Sequence, residues 1–161
     1  MKLSRELIGY LSGFILFVVL IPFLMWKVTD GIHAGILQII VFSVFTIVGI
    51  GLSIWSIVYM RVVGKGNPMD AFDHEVAPHT STLMTEGPYR LCRNPMLFGV
   101  IIFYLGIVIL LCSLRASIVF VVFIGIIMIQ LNREEKRLEQ DFGEAYLEYK
   151  KRSKRIIPYI W

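Results

Sequence analysis

The sequence predicts an all-α integral membrane protein with four transmembrane helices and a cytoplasmic C-terminal amphipathic helix. Three observations carry that fold class. Of 161 residues, 57% are hydrophobic and 17% are charged, whereas a soluble domain carries about 25% charged residues. The apolar residues gather into long runs without charge. Lysine and arginine fall almost entirely on one side of those runs.

The elements follow in chain order. Residues 7–26 and 34–60 contain no charged side chain, and each exceeds the roughly 18 residues that a spanning helix needs. The first run is too long for the core of a signal peptide, about 7–15 residues, and no small-residue cleavage site follows it. It is therefore expected to stay as a helix. Gly49-Ile-Gly51, inside the second run, suits close helix packing. Residues 96–131 are interrupted only by Arg115. At about 1.5 Å per residue this block accommodates two short spans of roughly 26 Å each, set at about 96–113 and 116–132, with a hairpin near Ser113–Ser117. There is no internal repeat or low-complexity tract, so residues 1–161 read as a single membrane domain.

Orientation follows from the basic residues. With four spans, both termini, the loop 61–95 and the tail 133–161 share one side. Fourteen of the sixteen Lys and Arg residues lie there, and only Lys27 and Arg115 lie opposite. Termini and loop are expected in the cytoplasm. The net charge of +4 is then topological, and with no recognition motif beside it no nucleic-acid partner is expected.

In the tail, Leu131, Leu138, Phe142, Ala145, Tyr146 and Tyr149 recur at helical spacing and form one apolar face. Gly143 is expected to weaken or bend this helix. Pro158 ends it, and Tyr159 and Trp161 suit a membrane–water interface.

Candidate chemistry concentrates at two places. In Gly87-Pro88-Tyr89-Arg90 and Arg93-Asn94-Pro95, Pro95 fits the first turn of a helix and Asn94 the capping position before it. Such a helix end, flanked by Arg90 and Arg93, suits an anionic group. Glu134 and Glu135 follow the last apolar run. They point about 100° apart, so one is expected to face the bundle and the other solvent or Lys136 and Arg137. An inward carboxylate at a membrane boundary is costly and marks a functional site. Asp73, His74, Glu75 and His79 match no zinc spacing, so no metal is expected. No Ser–His–Asp order points to hydrolysis. Cys92 and Cys112 lie a helix length apart, too far for a disulfide. Cys92 reads as a small interfacial residue.

The pattern TEGPYRLCRNPMLFG (Thr85–Gly99), an apolar hairpin, then EEKRLEQDFGEAYLEY (Glu134–Tyr149) resembles the membrane methyltransferases related to isoprenylcysteine carboxyl methyltransferase and phosphatidylethanolamine N-methyltransferase. The resemblance covers roughly residues 60–160. It implies S-adenosyl-L-methionine as cofactor, bound on the cytoplasmic side. The contacts it implies fall on Ser81, Thr82, Leu83, Met84, Tyr89, Arg93, Asn94, Pro95, Met96, Leu97 and Glu134, and it implies substrate contacts at Gln130 and Arg133. It names no general base. The implied partner is a membrane lipid or a lipidated substrate: a phospholipid amine or an isoprenylcysteine-type carboxylate. Asn94-Pro95-Met96 follows the phospholipid branch. Gln130 stands where the isoprenylcysteine branch has arginine, and Leu97 replaces a tyrosine of both branches. Those departures keep a second reading open, a non-catalytic scaffold or lipid-binding protein on the same fold.

Overall fold

A computed structural model of the chain describes residues 11, 13–32, 34–64 and 82–160. The structure is helical throughout, with no strand among the described residues. Four apolar helices follow one another: α1 (Ile15–Lys27), α2 (Ile36–Val62), α3 (Pro95–Leu111) and α4 (Leu114–Arg152). By length and composition α2 and α4 can each cross a membrane; α1 and α3 are shorter.

The first helix opens as a π-turn over Ile15–Leu20 and becomes α-helical at Ile21. Pro22 explains the change. The Ile21 amide donates to the Leu16 carbonyl, so the Phe17 carbonyl would next take the amide of residue 22, which a proline lacks. The Tyr104 hydroxyl of α3 donates to that carbonyl instead, at 2.7 Å. In an apolar bundle an unmatched carbonyl is expensive, and Tyr104 removes the cost. Its buried ring also packs edge-on against Phe120 and Phe123 of α4.

Helices α2 and α3 cross at bare backbone. A Cβ built on Gly49 would lie 2.5 Å from the Gly99 carbonyl oxygen, and one on Gly99 would lie 2.5 Å from the Gly49 carbonyl oxygen. Ser53 sits beside the crossing and donates to the carbonyls of Gly49 (2.9 Å) and Met96 (3.1 Å). This is the small-residue contact of helices without a hydrophobic driving force between them. Gly51 meets nothing within 4 Å, so only one glycine of the Gly49-Ile-Gly51 pair packs closely.

The hairpin turns at Cys112, whose φ of 46° is left-handed, and Ser113 starts α4 by accepting the Ala116 amide. The turn is tighter and earlier than the Ser113–Ser117 expected from sequence. Beside it, Arg115 forks onto both carboxylate oxygens of Asp30 at 2.8 Å.

Among the described residues fully buried side chains are few, and large apolar residues line the outside: Ile36, Leu37 and Ile47 on α2, and Val121, Val122 and Ile129 on α4. An exposed apolar surface this extensive belongs against lipid.

The fourth helix runs on into the charged segment and breaks at Gly143 (φ 52°, ψ −128°), a backbone state essentially confined to glycine. Beyond the break the chain doubles back. Lys150 reaches Glu139 at 2.6 Å, although eleven residues of straight helix would separate them by about 16 Å. After Ser153 the chain lies against the start of α3, and Ile156, fully buried, packs with Leu97 and Leu131. The tail therefore closes one end of the bundle.

Candidate active site

The loop before α3 is built for close approach. Gly87 has φ +61°, and a Cβ there would fall 2.5 Å from the Tyr59 ring. Pro88 enters the 3₁₀ turn Gly87–Arg90, and Pro88 and Tyr89 are both buried. The Tyr89 ring centroid lies 6.0 Å from that of Tyr59. The Tyr89 carbonyl accepts the Tyr149 hydroxyl at 2.7 Å. Gly87-Pro88-Tyr89 thus makes a rigid shelf between α2 and the end of α4.

Asn94 occupies the position before α3, and Pro95 is its first residue. Asn94 does not cap the helix with its side chain as expected. Its amide Nδ2 donates to the Arg155 carbonyl at 3.0 Å, and its backbone N–H donates to the same oxygen at 3.1 Å. The Arg93 N–H donates to the Lys154 carbonyl at 2.8 Å. The returning tail thus supplies the acceptor that orients the Asn94 amide.

One glutamate turns inward as expected, but the other does not turn to solvent: both line one cavity, and they differ in burial. Glu135 is the buried one, 7% exposed. One oxygen accepts from Arg93 Nε at 3.0 Å, and the other lies 3.3 Å from Arg155 Nε. A buried carboxylate is tolerated when cations flank it this closely. Arg93 also donates through Nη1 to the carbonyls of Ser153 (2.6 Å) and Lys150 (3.3 Å), capping the C-terminal end of α4. Glu134, half-buried, lines the adjoining cavity.

That cavity lies between the shelf and α4. Leu83, Met84 and Tyr89 form one wall, and Leu131, Leu138 and Phe142 form another. Glu134 and Glu135 bring carboxylates to its edge, and Tyr146 and Tyr149 complete it. Burial, then the Glu134 carboxylate, push the Tyr89 hydroxyl well above its ordinary range. Burial does the same to Tyr146 and Tyr149, so all three phenols are neutral donors. Burial also raises the Cys92 thiol to about 11. Cys92 is fully buried, in keeping with an inert small residue.

Of the residues singled out in the sequence, Thr82, Leu83, Met84, Tyr89, Arg93, Asn94 and Glu134 line one cavity. The guanidinium of Arg93 is taken up by Glu135 and the tail carbonyls. Pro95, Met96 and Leu97 stand behind the wall: Met96 accepts from Ser53, and Leu97 packs on Leu131 and Ile156. Gln130 and exposed Arg133 do not line the cavity. Ser81 and residues 73–79 lie outside the described residues. Arg155 went unnoticed in the sequence, because a basic residue in a basic tail carries no signal. The three- and four-residue spacing of Leu138, Phe142, Tyr146 and Tyr149 did mark the α4 wall.

Helices with apolar outer faces, closing at one end on a cavity edged by carboxylates, define a helical membrane protein. Residues 37–145 match the family described as phospholipid methyltransferase. The chain belongs to that family. It is similar to the protein-S-isoprenylcysteine O-methyltransferase of Rattus norvegicus, 33% identical over 105 residues, covering 63% of this chain and 37% of that protein. The Mus musculus protein of the same name is 33% identical over 93 residues, covering 55% and 33%. Protein-S-isoprenylcysteine O-methyltransferase B of Arabidopsis thaliana is 33% identical over 79 residues, covering 48% and 40%. The chain thus spans between 33% and 40% of the length of these relatives. No solved structure matches it.

Proposed function

We propose that the chain is a methyltransferase that uses S-adenosyl-L-methionine and acts on a lipid-like amphiphile at the cytoplasmic face of a membrane. The observation that carries this reading is the cavity that joins Thr82–Met84, Tyr89 and Glu134, beside the family membership. The donor set fits that cofactor: a carboxylate for its amino group or ribose hydroxyls, a neutral phenol, and apolar surface for the adenine. The cavity is small, about 40 Å³.

When bound, the cofactor supplies a methyl group on a sulfonium centre, transferred by in-line displacement. That chemistry needs alignment and a dry site more than a strong base. Here Glu134 and Tyr89 orient, while Leu131, Leu138 and Phe142 exclude water. The apolar flanks of α2 and α4 suit an acceptor that arrives from the bilayer. The basic bias supports a topology of four spans with both termini cytoplasmic. The acceptor is a phospholipid amine or a prenylated thiol-carboxylate.

Calorimetric titration of the purified protein with S-adenosylhomocysteine tests the reading. Micromolar binding is expected; folded protein that binds nothing at high micromolar ligand overturns it. Leu97 and Gln130, which depart from the family pattern, favour one rival, a scaffold on the same fold. Binding without turnover on any pool of membrane lipids or prenylated peptides would select that rival.

A further inference from the structure

We propose that Glu135 is a positioning residue: it fixes which face of α4 meets the cavity and holds Ser153–Ile156 against the start of α3. The proposal rests on the cofactor reading only for what the cavity holds. Glu135 is itself unsuited to bind a ligand. One oxygen is taken by Arg93 at 3.0 Å and the other by Arg155 at 3.3 Å, and the side chain is 9% exposed.

Its neighbours show what the pairing does. Arg93 stands at the entry to α3, forty-two residues from Glu135, and Arg155 stands past the end of α4. One carboxylate draws both to the same point on α4. With Glu135 locked there, the preceding residue, Glu134, is set about 100° round the helix, where it too lines the cavity. The same lock secures the tail. Arg93 grips the Ser153 carbonyl at 2.6 Å, and Arg155 offers its carbonyl to Asn94 and its guanidinium to Asn132. Two guanidinium groups face one carboxylate. Neutralising Glu135 therefore leaves two like charges close together in a poorly solvated place, where repulsion is strong. The movable partner is Arg155, at the less buried end, with its side chain 18% exposed.

The experiment compares Glu135→Gln, Glu135→Asp and Arg155→Gln in lipid nanodiscs. Brief trypsin treatment reads tail release through cleavage at exposed Lys151, Arg152 and Lys154. S-adenosylhomocysteine titration reads the site. For Glu135→Gln, cleavage at least tenfold faster and affinity at least tenfold weaker are expected, with wild-type helical circular dichroism. Glu135→Asp restores both to within about threefold of wild type, a rescue that loss of packing alone would not give. Arg155→Gln releases the tail as Glu135→Gln does and keeps the proposal testable if Glu135→Gln fails to fold. In turnover, KM for the methyl donor rises while KM for the acceptor stays. Glu135→Gln, or if it does not fold Arg155→Gln, with wild-type protease resistance and affinity overturns the proposal. A wild-type protein that binds no S-adenosylhomocysteine overturns the cofactor reading instead, while the cleavage rates still decide for or against the lock.

Discussion

The hydroxyl of Tyr149 donates to the backbone carbonyl of Tyr89 across 2.7 Å, linking the far end of α4 to a turn sixty residues earlier. Both residues are buried. Tyr149→Phe keeps the ring and strands the carbonyl, which costs about 1–3 kcal/mol. A lowered melting temperature and weaker S-adenosylhomocysteine binding are expected, measured by differential scanning fluorimetry and titration. An unchanged affinity would detach the shelf from the site.

Glu134 makes a different prediction, because it is half-buried and edges the cavity. Glu134→Ala leaves the melting temperature near wild type and weakens cofactor-product binding tenfold or more, about 1.4 kcal/mol. Titration checks it, and wild-type affinity in the variant would remove Glu134 from the site.

Tyr104 and Pro22 are coupled through the Phe17 carbonyl, although they do not bond each other. Tyr104→Phe removes that carbonyl's donor and destabilises by about 1–3 kcal/mol. In a Pro22→Ala background the restored amide supplies a donor, so the same substitution costs less. A double-mutant cycle on melting in nanodiscs measures the coupling; strict additivity would mean that the π-turn has another cause.

The crossing of α2 and α3 discriminates among glycines. Gly99→Ala puts a methyl group into the Gly49 backbone and destabilises by about 1–3 kcal/mol through overpacking. Gly51→Ala and Gly125→Ala, each with open space at the Cβ, leave melting within about 0.5 kcal/mol of wild type. Thermal melting of the three variants checks the contrast.

The two cysteines differ in reactivity. With its thiol raised to about 11 and no exposed surface, Cys92 stays neutral and resists iodoacetamide at pH 8, while exposed Cys112 reacts; mass spectrometry of the alkylated protein distinguishes them. The sign for stability follows from the direction. The folded protein holds this proton more tightly than the unfolded chain. The contribution is therefore complete below the ordinary value near 9 and declines as pH rises towards 11.

What the sequence made legible was whatever depends on neighbours along the chain. The uncharged run at 34–60 became α2, Pro95 opened α3, Gly143 broke α4, and the spacing from Leu138 to Tyr149 marked an apolar face, which the structure turns to the cavity. Features that depend on distant partners were hidden. Asn94 has the composition of a cap, yet its amide turns to a carbonyl supplied by Arg155. Adjacent carboxylates read alike until two arginines from remote segments select Glu135 for burial. Pro22 reads as an ordinary residue of an apolar run, and only Tyr104 reveals the carbonyl it leaves behind.

The pairing of Arg93 and Asn94 with Lys154 and Arg155 has a consequence for biogenesis. Synthesis proceeds from the N-terminus, and domains can begin folding before it ends. The apolar hairpin is made early, but the wall at Asn94 lacks its acceptors until residues some sixty positions later have been made. The bundle and the site therefore mature at different times. A ribosome stalled before Lys154 would carry a chain with no finished pocket.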